Sequence, residues 1–133
     1  MRAQVIFVVL LTVVAAAPLK AQVYQEWIQY SNGLLSGGDA LEDLAIDDSG
    51  NVLVAGRSNV HYLTIKYDNS GNQIWLAQYN GPGPGADEVA DIAVDSSGNV
   101  YVTGYTSGGL DGNANAGGTD IFLMKYDSNG NKK

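Results

Sequence analysis

A phrase of 14 residues, written twice, constrains this chain more than any other feature. Residues 91–104 read Asp-Ile-Ala-Val-Asp-Ser-Ser-Gly-Asn-Val-Tyr-Val-Thr-Gly, and residues 43–56 read Asp-Leu-Ala-Ile-Asp-Asp-Ser-Gly-Asn-Val-Leu-Val-Ala-Gly. Each copy sets two short runs rich in β-branched residues around a Gly-Asn turn, the pattern of an antiparallel hairpin. With a shift of 48, Trp27 falls on Trp75, and 14 of the 30 residues from 27 to 56 recur, among them Asp39/Asp87, Asp43/Asp91, Asp47/Asp95, Gly50/Gly98 and Gly56/Gly104.

After Gly56 the copies diverge and then realign at a shift of 59, where Lys66-Tyr67-Asp68 and Gly71-Asn72 match Lys125-Tyr126-Asp127 and Gly130-Asn131. The second copy therefore carries 11 more residues than the first. They fall in the Gly- and Asn-rich stretch 107–119, which reads as a surface loop, because loops absorb insertions that paired strands cannot.

A repeat of about 50 residues holding several strands is the mark of a propeller blade rather than a helical solenoid. The first copy predicts four strands, at 43–47, 51–57, 62–67 and 73–79. The second predicts three, at 91–95, 100–105 and 121–126, with the fourth missing. Residues 24–30 resemble a fourth strand without a blade before it, an orphan able to complete the last blade of a ring. The expected fold is all-β: antiparallel four-stranded meanders, blade 1 at about 40–79 and blade 2 at about 88–133, two blades of a larger ring. The wealth of Gly, 17 residues, and the lack of an amphipathic helical pattern beyond residue 22 agree with this.

Residues 1–21 are different material. Arg2 precedes an apolar run from Val5 to Ala17, interrupted only by Thr12, and Pro18-Leu19-Lys20-Ala21 follows. A bilayer needs about 20 apolar residues, so the run is too short to span and reads as a secretory signal cleaved after Ala21. That places the remainder, residues 22–133, outside the cytoplasm, secreted or at the cell surface, with no membrane span once the signal is removed. The chain has no cysteine, which excludes disulfides, thiolate metal sites and a thiol-linked lipid anchor. Without Arg2 and Lys20, 5 basic residues face 14 acidic ones, a net charge of −9. Such a surface repels phosphate backbones, so nucleic acid is not an expected partner.

A Trp-led strand, then Asp91 to Thr106 as Asp-Ile-Ala-Val-Asp-Ser-Ser-Gly-Asn-Val-Tyr-Val-Thr-Gly-Tyr-Thr, and later Thr-Asp-Ile-Phe-Leu-Met-Lys-Tyr-Asp-Ser-Asn-Gly from Thr119, together closely resemble the bacterial SBBP β-propeller repeat. The resemblance covers essentially everything after residue 22. It implies a ring of more than two blades, of which this chain would be the N-terminal part. It implies no particular activity.

Candidate chemistry is sparse. Asp-x-x-Gly-Asn begins at Asp47, Asp68, Asp95 and Asp127. Aspartates and turn carbonyls suit calcium, but an EF-hand wants Gly at position 6 and Glu at position 12. The spacing here favours a hairpin turn, with Asp capping and Gly supplying positive φ. Asp43 with Asp47, and Asp91 with Asp95, are four apart and are expected on one strand face. Carboxylate pairs of that kind serve glycosidases, yet a feature present in every copy belongs to the blade rather than to one catalytic centre. Neither a catalytic site, nor a cofactor, nor a metal site is therefore expected. Residues that differ between copies are few: His61, read as a polar loop residue, Arg57 against Tyr105, and Glu42 against Ala90. The Gly81-Pro82-Gly83-Pro84-Gly85 run lacks phosphate-loop spacing and reads as a connector. Trp27, Trp75, Tyr67 and Tyr126 are expected to fill the wedge between blades. The expected function is a structural or binding scaffold for a protein or carbohydrate ligand. The alternatives are a lectin-like module completed by self-association, or the propeller part of an extracellular enzyme whose site lies elsewhere.

Overall fold

In the computed structural model, residues 26–29, 38–58, 61–79, 87–110 and 112–133 are described. The expected signal sequence at 1–21, most of the strand expected at 24–30 and the Gly-Pro run at 81–85 lie outside them. Among the described residues seven strands follow in order: β1 (Asp39–Ile46), β2 (Val52–Ser58), β3 (His61–Tyr67), β4 (Gln73–Tyr79), β5 (Asp87–Val94), β6 (Val100–Thr106) and β7 (Asp120–Tyr126). They form two antiparallel meanders, β1-β2-β3-β4 and β5-β6-β7. The fold is all-β, and the two sheets are partial propeller blades. Among the described residues no helix is long and apolar enough to cross a membrane.

Several boundaries differ from the sequence expectation. β1 and β5 begin four residues early, at Asp39 and Asp87, and stop before Asp47 and Asp95. The last strand positions are lost because each of those aspartates turns its side chain onto the backbone that follows. The early start hides a β-bulge: pairing jumps from Leu41↔Gly56 to Asp43↔Ala55, and from Val89↔Gly104 to Asp91↔Thr103. Glu42 and Ala90 are the extra, unpaired residues, exposed in both blades. The bulge explains the repeated Gly56 and Gly104. A Cβ on Gly56 would sit 2.1 Å from the Ala40 carbonyl oxygen, and one on Gly104 would sit 1.9 Å from that of Glu88. Only glycine lets the bulged strand approach so closely.

Alternation gives each blade two faces. The face of blade 1 turned toward blade 2 carries Leu53, Ala55, Tyr62 and Thr64, with Trp75, Ala77 and Tyr79 along β4. It packs on Val89, Ile92, Val100, Val102, Phe122, Met124 and Tyr126 of blade 2, joined by Leu110 from the long loop. Tyr62 is the pivot: its ring stacks on Phe122 with centroids 5.2 Å apart and leans on Tyr79 at 5.4 Å. Its hydroxyl meets the Met124 sulfur. The opposite face of blade 1 holds a smaller cluster of Leu63, Ile65 and Tyr67 with Val54 and Leu76.

Candidate functional site

A meander places its turns at two ends, and the two ends of this molecule are built differently. At one end lie the four Asp-x-x-Gly-Asn turns, all folded alike. In each, the Asp N–H donates to the Asn carbonyl at 2.8–3.0 Å and the Gly N–H donates back to the Asp carbonyl at 2.8–3.0 Å. One carboxylate oxygen of Asp47, Asp68, Asp95 and Asp127 accepts two backbone N–H groups, from the residue two further on and from the Asn. The other oxygen accepts the Asn side-chain amide. Gly50, Gly71, Gly98 and Gly130 adopt φ of 78°, 85°, 77° and 82°. The carboxylates are thus engaged by their own turns, and turn chemistry accounts for the motif. Among the described residues no group of three or more acidic or histidine side chains gathers as a metal cage.

These hydrogen bonds set the charge of the turns. In Asp68 and Asp95 the side-chain amide of Asn72 or Asn99, followed by its backbone N–H, holds the carboxyl below the usual range. For Asp127 the Lys133 ammonium, 2.9 Å away, leads the same effect. For Asp47 burial opposes the charge, but Lys66 at 2.8 Å, Asn51 and the turn amides outweigh it and leave the carboxyl well below that range. Both partners of the Lys66–Asp47 ion pair are buried. At the equivalent position in blade 2, Lys125 instead lies half-exposed, 5.1 Å from the centre of the Tyr101 ring.

Asp43 is in β1 and Asp47 follows that strand in the turn. Asp43 lies opposite Ala55, and Asp47 pairs with Lys66, which lies opposite Leu53, so both carboxylates are on the side of blade 1 that meets blade 2, each with its own partners. Asp43 reaches across to blade 2, where its carboxylate accepts the Ile92 N–H at 3.1 Å. That amide, then the Asp91 side chain and the Leu44 amide, lower its pKa.

The tryptophans tie blade to blade. Trp75, on β4, places its ring 6.1 Å from Tyr126 and donates its indole N–H to the Ser128 carbonyl at 3.1 Å, against Gly130. Trp27 repeats the arrangement on blade 1, 6.3 Å from Tyr67, donating to the Asn69 carbonyl at 3.2 Å, against Gly71. A Cβ on either glycine would come within 2.9 Å of the indole. Trp27 thus sits on Tyr67 and Gly71 as Trp75 sits on Tyr126 and Gly130, although Glu26–Gln29 are not strand, and the rest of the strand expected at 24–30 lies outside the described residues.

Residues 74–111, from β4 through the blade boundary to the long loop, match the family model described as the SBBP beta-propeller repeat. The chain carries an SBBP-type β-propeller repeat. No curated protein matches it. The matched SBBP segment spans one Trp latch, one bulge and one Asp turn, the features just described as packing devices.

At the other end the copies differ. Arg57 pairs with Glu88 across the blades at 3.3 Å, both exposed. His61 opens β3 instead of lying in a loop, opposite Ser58. Ser58 Oγ and His61 Nδ1 are buried without a hydrogen-bond partner among the described residues, and no nucleophile–base pair is made between them. The 107–119 loop tucks Leu110 into the core and ties itself with Thr106 Oγ1 to Gly108, and with Asp120 accepting the Ala116 N–H at 2.8 Å. It walls a cleft of about 490 Å³ along the outer edge of β7. Sequence reasoning missed this cleft because it arises where the inserted loop folds back along β7.

Proposed function

We propose that the chain is a secreted or cell-surface β-propeller scaffold, structural or ligand-binding in role and without a catalytic site of its own. One observation carries the reading. The residues that recur, the Asp turns, the bulge glycines and the Trp latches, are consumed by turn and blade packing, whereas the differences gather at the end bearing His61, the Arg57–Glu88 pair and the 107–119 loop. Rigid repeats that present one variable end suit recognition of a protein or a carbohydrate. Residues 1–21 support export.

The test is expression of the full chain in a bacterium with a peptide epitope inserted between Gly117 and Gly118. Both glycines face open space. The expected product lies outside the cytoplasm, begins at Gln22, keeps its β circular dichroism and is recognised by the antibody. A cytoplasmic product that still begins at Met1, or loss of the fold on insertion, would overturn the reading.

A further inference from the structure

Between the two blades, at the end that carries the Asp turns, lies a polar cleft of about 210 Å³. Blade 1 lines it with Lys66 and the turn positions Asp48 and Ser49, and blade 2 with the same two positions of its own turn, Ser96 and Ser97, together with Ser128. The fold buries a cation here whose hydrogen-bonding capacity is not used up. The Lys66 side chain is only 7% exposed, held on the inner face of blade 1 between its cross-strand neighbours Leu53 and Trp75. An ammonium has three N–H donors, and Asp47 Oδ2, at 2.8 Å, is the one acceptor it meets among the described residues. A buried ion pair is favourable only when the remaining protons also find oxygen. Asp47 and Asp95 are already filled by their own turns, by Lys66 and by the Tyr101 hydroxyl. The Asp48 carboxylate and the hydroxyls of Ser49, Ser96, Ser97 and Ser128 have no hydrogen-bond partner among the described residues, so they stand ready for a ligand.

We propose that this cleft binds a neutral sugar residue, whose hydroxyl oxygens accept the open Lys66 N–H groups and whose hydroxyl protons go to Asp48 and the serines. Charge and lining select that class. The carboxylates of Asp47, Asp48 and Asp95 outnumber the one ammonium and turn away phosphates and carboxylates, while the ammonium turns away a metal ion from the oxygens beside it. None of the lining residues has an apolar side chain, so an apolar ligand gains nothing by entering. A hydroxyl group both accepts and donates, which is what an ammonium, a free carboxylate and four serine hydroxyls together require. The volume is below the about 300 Å³ at which drug-sized pockets begin, so the cleft admits one ring and leaves the rest of a glycan in solvent. The arrangement is not a by-product of the repeated turn. Where blade 1 has Leu53, blade 2 has Tyr101, whose hydroxyl takes the Asp95 carboxylate and whose ring centre lies 5.1 Å from the Lys125 ammonium. The cleft is at the end opposite His61 and the 107–119 loop, so this site and the recognition end assigned above can fail separately.

Amide chemical shifts of the isotope-labelled full chain read the site, titrated in turn with glucose, galactose, mannose and N-acetylglucosamine, and with inorganic phosphate and calcium chloride as contrasts. The expected result is saturable shifts with at least one sugar, in the millimolar range, confined to the amides of Asp48, Ser49, Ser96, Ser97, Gly98 and Ser128, and none with phosphate or calcium. Asp48→Ala combined with Ser96→Ala, both exposed positions, should weaken the sugar by about tenfold or more with unchanged circular dichroism, because hydrogen bonds to a carboxylate are among the stronger ones. The proposal is overturned if no sugar moves these amides, if phosphate or calcium moves them saturably instead, or if the double variant binds the sugar as the parent chain does. Sugar shifts gathered only at the 107–119 loop would likewise remove this site while supporting the recognition end assigned above.

Discussion

Gly104 and Gly98 are both repeated glycines, yet they are required for different reasons, and substitution separates them. Gly98 needs positive φ, and an added Cβ would meet Ser128 at 3.2 Å, a contact the side chain can yield. Gly98→Ala should cost about 1 kcal/mol, the strain of an L-residue held there, and Gly98→Val more. Gly104→Ala sets a methyl against the Glu88 carbonyl, which cannot move without opening the β5–β6 pairing. It should cost about 3 kcal/mol, at the upper end of overpacking. Urea titration of the two variants checks the order, and equal losses would remove the bulge as the explanation. Lys66→Met strands the buried Asp47 carboxylate and should cost about 3–5 kcal/mol, read by the same titration. The turn aspartates also set an acid limit. Their carboxyls lie below the unfolded value of about 3.9, so their stabilisation is complete above that pH and is lost as pH falls through the lowered folded values. Melting temperature should be flat from pH 7 to about 5 and decline below about 4. Asp95→Asn should flatten that decline, because it removes one titrating group.

The Trp latch is the working unit at the scale of strands. Trp75→Ala removes the ring from Tyr126 and Gly130 together with the bond to Ser128, and should cost about 3 kcal/mol. Thermal unfolding of Trp75→Ala beside Trp75→Phe separates the ring from the indole N–H, with Phe expected to recover most of the loss. Strand count, the pairing order and the packing role of the tryptophans were legible in the sequence, since alternation and a repeat of 48 residues are direct consequences of the meander. The bulge was not. Its sign is the recurrence of Gly56 and Gly104 at the same place in the two copies, and a backbone clash leaves no trace in hydropathy. Nor was the end of the strand at Ile46 and Val94: counting by twos carries it on through Asp47 and Asp95, whereas hydrogen bonding of those carboxylates to the next N–H groups ends it one residue sooner. The cleft beside β7 was hidden for a further reason, since it depends on where the inserted loop folds back and on Leu110 reaching the core.

At the scale of the molecule, the two blades share one core and should unfold as one. Leu53, Ala55 and Tyr62 of blade 1 and Val100, Val102, Phe122 and Met124 of blade 2 form one buried cluster, larger than the cluster of Leu63, Ile65 and Tyr67 on the opposite face of blade 1. A blade by itself has two faces and no interior, because a single sheet buries apolar groups only against another layer. Residues 87–133 expressed alone should therefore show neither a cooperative thermal transition nor dispersed amide resonances, because their sheet has lost the layer it packs against. In the whole chain, Tyr62→Ala should lower the stability of both blades together by about 3–5 kcal/mol, since its ring touches Tyr79 on one side and Phe122 on the other. Hydrogen exchange resolves the point strand by strand. If the variant weakens protection equally in β3 and β6, the pair of blades is one folding unit. Loss confined to β3 would make each blade its own, and the cluster that joins them a contact between finished parts.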